Sequence, residues 1–245
     1  VESLKTAIKS YWNWRSRSFG HDTDKSSAVA AKWEAILQKT VAKAPGKRVL
    51  DIGTGTGQLA VYLARAGFEV TGVDIAENMV AQAARYAAAQ HLDIRFRTGD
   101  AEHLDFDNNS FDAVVSRNLL WTLPHPEDAL KEWRRVLAPN GVLVLSDGFW
   151  MNTTWRRVHH LVVKLANGLL KKGTFISLRF FYAYANLQKH LPFYEGISYE
   201  NAHSLMQAAR FREIESQEAL CHDFFPYGVK RIGSHPVFFI ARAKR

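Results

Sequence analysis

The stretch Val49-Leu-Asp-Ile-Gly-Thr-Gly-Thr-Gly-Gln-Leu-Ala60 constrains this chain more than any other. A short apolar run ends in Asp51, three glycines follow at alternate positions (Gly53, Gly55, Gly57), and a helical pattern begins at once. Glycines at a strand-to-helix turn let backbone approach a ligand closely. A second apolar run, from Val70, ends in Asp74. A carboxylate in that position suits a ribose diol, which offers two hydroxyl donors. A third strand-like run, Ile94-Arg-Phe-Arg-Thr98, leads into Gly99-Asp100-Ala101. These features imply a nucleotide-like cofactor at the carboxyl edge of a parallel sheet.

Three acids, each after its own short strand, with an Asp-x-Gly-x-Gly-x-Gly loop, form a pattern that resembles the class I S-adenosylmethionine-dependent methyltransferases. The resemblance covers about residues 47–148, with a tail over 199–245. It implies S-adenosyl-L-methionine as cofactor and the transfer of its methyl group. It also implies that Asp51 and the loop of Gly53, Thr54, Gly55 and Gly57 hold the methionine end, that Asp74 holds the ribose, and that Asp100 faces the adenine. A nicotinamide-binding domain carries Gly-x-Gly-x-x-Gly instead, and would leave Gly99-Asp100 without a role.

Strands fall near 47–52, 69–73, 93–98, 111–116 and 141–147, and helices near 24–44, 57–66, 76–90 and 126–137, with Pro139-Asn-Gly141 as a turn. Alternation of this kind implies a doubly wound α/β fold with a mostly parallel sheet. Two late runs, 211–218 and 237–243, read as further strands, and the resemblance implies seven in all with the last antiparallel. Residues 149–198 break the alternation. Trp155, Val158, Val162, Leu165 and Leu169 recur at helical spacing, which suggests a helical cap inserted between the fifth and sixth strands. The chain thus divides into an arm or lid (1–21), a cofactor-binding core (22–148), a cap for the acceptor (149–198) and the completion of the sheet (199–245).

The formal charge of +8 is uneven. Residues 150–194 hold seven Lys or Arg and no acid, residues 1–21 hold four and one Glu, and the remainder sums to −2. Cys221 is the single cysteine, so no disulfide closes within the chain. Cys and His lack the spacing of a metal site. No apolar run approaches the ~18 residues of a membrane span, and the first residues lack a signal-peptide pattern. A cytoplasmic protein is expected.

Ile75 and Met79 are candidates to flank the adenine, with Ala101 beside it. Tyr11 and Trp12 are candidates to fold over the cofactor as a lid, with packing over the first helix as the alternative. The fourth strand ends in Ser116-Arg117-Asn118-Leu119-Leu120-Trp121, where the transferred methyl is expected; Asn118 and Trp121 are candidate lining residues. The segment lacks the Asn/Asp-Pro-Pro-aromatic sequence of exocyclic-amine and glutamine methyltransferases. No base announces itself. Asn118, His125 and Asp147 are the candidates, beside His21, His159, His160, His190 and His222.

Ten aromatic residues within 149–194 suit a small organic acceptor, and the basic surplus there favours a carboxylate or phosphate on it. Competing readings are an RNA methyltransferase, a lipid-surface enzyme using the basic helix 155–172, and a cofactor-binding protein without turnover.

Overall fold

A computed structural model describes residues 2–18, 27–148, 190–193, 196–216, 231–232, 235–236 and 238–245. The cap expected over 149–198 falls, for most of its length, outside the described residues.

The strands of the main sheet are β1 (Arg48–Ile52), β2 (Glu69–Asp74), β3 (Arg95–Thr98), β4 (Phe111–Arg117), β5 (Leu137–Gly148), β6 (Arg212–Ser216) and β7 (Phe238–Lys244). They form one sheet in the order β3-β2-β1-β4-β5-β7-β6. Strands β1 to β5 pair in parallel, and β7 runs antiparallel to both neighbours. The chain leaves β1 toward β2 on one side and returns to β4 on the other. Ligands bind outside the carboxyl ends of strands at such a switch point.

The central strands β1, β4 and β5 are buried over most of their length because both faces are covered. On one face α2 (Ser27–Val41) and α3 (Gln58–Arg65) bring Trp33, Leu37, Leu59 and Leu63 onto Val49, Val115, Val144 and Ile240. On the other, α5 (Pro126–Val136) and α6 (Tyr199–Ala208) bring Leu130, Trp133 and Met206 onto Leu50, Ile52, Leu143, Leu145 and Phe239. Cutting any fully buried leucine here to alanine costs about 2–5 kcal/mol.

Two elements differ from the sequence reading. The turn expected at 139–141 is a bulge inside β5: Asn140 has φ 61°, and the register with β4 jumps between Phe111 and Ala113. The two strand segments stay in line, so the kink does not end the ladder. The N-terminal arm is a helix, α1 (Glu2–Arg15), whose Leu4, Ile8 and Trp12 pack with Ile75 and Leu191. No helix among the described residues is long and apolar enough to cross a membrane.

Candidate active site

The glycine loop is shaped by its neighbours. Gly57 takes φ 85° as the residue before α3. A Cβ there would lie 2.9 Å from Ala83 Cβ and 3.2 Å from Phe96 Cζ, so the missing side chain lets α3 start tight against α4 (Glu77–Ala89) and β3. The amides of Gly53 and Thr54 both donate to the carbonyl of Val73, at 2.8 and 3.0 Å, which binds the loop to β2.

Asp74 joins the same two elements. Its Oδ2 accepts from Gly55 N and its Oδ1 from Ala76 N, each at 2.9 Å. A carboxylate oxygen has two lone pairs, so each keeps one for a ligand hydroxyl. The residue is partly exposed. It is not the cap of α4, a place taken by Ala76. Burial pushes its carboxyl up to about 6 against the pull of these two amides.

Asp51 lies beneath the loop, 1% exposed, and its Oδ2 accepts from Thr54 Oγ1 at 2.6 Å. Turn closure is therefore one of its roles. Burial pushes its carboxyl up to about 6 as well, opposed by the Thr54 hydroxyl and the positive charge of Arg117.

Asp100 stands at the end of β3, and its Oδ1 accepts from Glu102 N at 2.9 Å. The ammonium of Lys5 sits 2.6 Å from both Asp100 Oδ2 and Glu102 Oε2. Asp100, Glu102 and His103 have ligand atoms within 4.8 Å of one another, but that ammonium already supplies the cation between the two acids. Glu102, buried to 2% exposure, also accepts from the amide of His125 at 2.7 Å. Glu102 carries no motif of its own in the sequence; its one signal is a second acid two residues after Asp100.

The remaining candidates separate. Ile75 is half-buried against α1, whereas Met79 and Ala101 are closed off at 2% and 8% exposure. The Ala101 carbonyl is taken by Trp133 Nε1 at 2.9 Å. Tyr11 is buried, with its ring edge-on to Trp12 at 5.1 Å. Asn118 is exposed at φ 56°, its amide donating to Ser146 O at 2.8 Å across the ends of β4 and β5. Trp121 packs partly buried against the α5 side of the core. His125 is the residue before α5, tied through Glu102 to the Asp100 loop rather than to the β5 end. Asp147 is fully buried on the α5–α6 face, its Oδ1 accepting from Gly148 N at 2.8 Å. His190 is exposed; His21, His159, His160 and His222 lie outside the described residues.

Acids thus terminate β1, β2 and β3, side by side at the carboxyl edge, with the glycine loop over the first two. Residues 50–145 match the family described as methyltransferase domain. Residues 50–145 are a methyltransferase domain, set in the class I S-adenosylmethionine-dependent methyltransferase fold.

This methyltransferase domain is 47% identical over 105 residues to a demethylmenaquinone methyltransferase of Thermus thermophilus, a match covering 42% of this chain and 47% of that protein. It is 34% identical over 131 residues to a ubiquinone biosynthesis O-methyltransferase of Coxiella burnetii, covering 53% and 55%. The matches span about half the length of these curated relatives. A S-adenosylmethionine-dependent methyltransferase of Aquifex aeolicus shares the fold, with a TM-score of 0.57 at 19% identity, covering 86% of this chain and 88% of that one.

Proposed function

We propose that this protein transfers the methyl group of S-adenosylmethionine to a small organic acceptor by in-line displacement. The observation that carries the reading is the carboxyl edge of β1, β2 and β3, where the glycine loop lies with Asp51, Asp74 and Asp100. Bound there, S-adenosylmethionine supplies a methyl already activated on a positive sulfur. The protein's task is then alignment and exclusion of water rather than activation.

Asp74 accepts the ribose hydroxyls through its remaining lone pairs. Asp100 faces the adenine amino group, with Ile75 at the ring's side. Gly53, Thr54, Gly55 and Gly57 carry the methionine end, and the negative field of Asp51 favours its ammonium. Helix α1 covers this edge, with Tyr11 and Trp12 turned inward. The acceptor enters over the ends of β4 and β5, near Asn118. If it is a neutral hydroxyl or amine, its proton leaves as the new bond forms, and Asp147 and Asn118 stand at the strand ends nearest that event.

The acceptor class rests on two supports. The curated relatives are named for work on quinone precursors, which are aromatic small molecules. The segment 149–194, rich in aromatics and basic residues, suits a ring that bears an anionic group. The test is methyl transfer from labelled S-adenosylmethionine to a panel of phenols, quinols and aromatic acids. Labelling of at least one class supports the reading. Label entering only RNA, in a manner that falls steeply with salt, replaces it with the nucleic-acid reading.

A further inference from the structure

The methyltransferase reading leaves Arg117 without work. It ends β4 at the carboxyl edge. Its side chain is held in place: Nη2 donates to Gln58 Oε1 at 2.5 Å, and the guanidinium lies over the Trp33 ring at 4.9 Å. Stacking on an aromatic face fixes the plane of the guanidinium, and a planar fork is suited to a carboxylate.

Strand register adds a second group. Asp51 is paired with Val115, Val115 with Val144, and Arg117 with Ser146. Paired residues share a face, and residues two apart on a strand return to it. Asp51, Arg117 and Ser146 therefore stand on the α2–α3 face at the carboxyl ends of three adjacent strands, with Arg117 directly across from Ser146 and two residues beyond the partner of Asp51. Ser146 is 2% exposed, and its Oγ has no hydrogen-bond partner among the described residues. A buried hydroxyl without a partner costs about 1–3 kcal/mol, so it marks a place where an acceptor atom belongs.

We infer that Arg117 and Ser146 form a carboxylate subsite, which takes the α-carboxylate of the cofactor's methionine end. This rests on the cofactor reading above. An amino acid carries its ammonium and carboxylate on one carbon, so the two charges must find opposite partners side by side. Asp51 and Arg117 are such a pair: the guanidinium is close enough to favour the charged form of Asp51. Gln58 and Trp33 act as positioning residues, holding the guanidinium flat against α2 and α3. A carboxylate on the acceptor is the other source of the same chemistry.

The experiment compares S-adenosylhomocysteine with 5′-methylthioadenosine, which lacks the amino-acid end, by calorimetry on wild type, Arg117→Gln, Arg117→Lys and Ser146→Ala. Arg117→Gln should weaken S-adenosylhomocysteine roughly 10- to 100-fold and 5′-methylthioadenosine less than about threefold, with Arg117→Lys between. Ser146→Ala should show the same selectivity at smaller size. Undiminished 5′-methylthioadenosine binding also certifies that each variant is folded. In a second arm, benzoate is added to the S-adenosylhomocysteine-loaded proteins. Thermal stabilisation of wild type but not of Arg117→Gln, with nucleoside affinities unchanged, keeps the subsite and assigns it to the acceptor. Equal losses for both nucleosides, or no change in either arm, overturn the subsite. If wild type binds neither nucleoside, the cofactor reading fails and the subsite with it.

Discussion

The ammonium of Lys5, in α1, lies 2.6 Å from Oδ2 of Asp100, the carboxylate that ends β3. The N-terminal helix therefore docks on the same acid that is proposed to face the adenine. Further along α1 and just beyond it, Lys9 pairs with Glu77 at 2.5 Å, Asn13 Oδ1 accepts from the amide of Asn78 at 2.9 Å, and the carbonyl of Ser16 accepts from Gln82 at 2.9 Å. Together these lay the helix along α4.

Removing the Lys5 charge is expected to loosen this helix, which is proposed to act as a lid. Burial lowers the Lys5 pKa, but hydrogen bonds from the ammonium to Asp100 and Glu102 outweigh it and the net shift is upward. The bridge is thus intact at neutral pH and lost only above the ordinary lysine range. Lys5→Met leaves Glu102 buried without its cation, at a cost of about 1.5–3 kcal/mol. For a chain of this size that is roughly a 4–10 °C fall in melting temperature. S-adenosylhomocysteine should also dissociate faster, which stopped-flow measurement would detect. Deleting residues 1–19 should give the stronger form of the same result, with methyl transfer sharply reduced in a body that still folds. Normal turnover by the truncated protein would exclude a lid.

Gly57→Ala tests the loop. The new methyl meets Ala83 at 2.9 Å in a backbone with φ 85°. A left-handed alanine costs about 1–2 kcal/mol before any clash is relieved. The melting temperature should fall by several degrees, and cofactor affinity should fall further than stability alone requires, because α4 shifts beneath Asp74. Gly67→Ala is the control: φ is 87° but a Cβ meets nothing within 4 Å, so affinity should be unaffected.

Cofactor binding should depend on pH. Asp51 and Asp74 are both pushed up to about 6 by burial. In the free protein their ionised forms cost stability, so that part of the stability is recovered as pH falls through about 6. Binding has the opposite sign, since ribose hydroxyls and an ammonium need carboxylates. Affinity should be flat above pH 7 and fall below pH 6, by up to about tenfold per unit for each acid. Calorimetry at pH 5, 6 and 7.5 would show it, with proton release on binding in the acidic range. An affinity that rises on acidification would contradict these roles.

Local signals made much of this legible. A glycine loop between an aliphatic run and a helix can be read from its own dozen residues, and so can Asp74 at the end of the next run. The identity of α1 as a helix was also written locally, in Leu4, Ile8, Tyr11 and Trp12 at helical spacing, but its aromatics and arginines read as an arm. What spacing could not show was contact across the chain. Lys5 meets Glu102, and Arg117 sits beside Ser146, only because the sheet order brings distant segments together. The bulge in β5 was hidden for a different reason. Pro-Asn-Gly has the chemistry of a turn, and only pairing with β4 shows that the ladder continues through it.

The central claim is that Asp74 and the glycine loop hold S-adenosylmethionine. Its most direct test is calorimetry of wild type and Asp74→Ala with S-adenosylmethionine and S-adenosylhomocysteine. Wild type should bind both in roughly the micromolar range. In Asp74→Ala, loss of hydrogen bonds to a charged group removes about 1.5–3 kcal/mol, so affinity should fall roughly 10- to 150-fold in a protein that remains folded. An unchanged dissociation constant in folded Asp74→Ala, or a wild type that binds neither ligand but binds NAD tightly, would contradict the account.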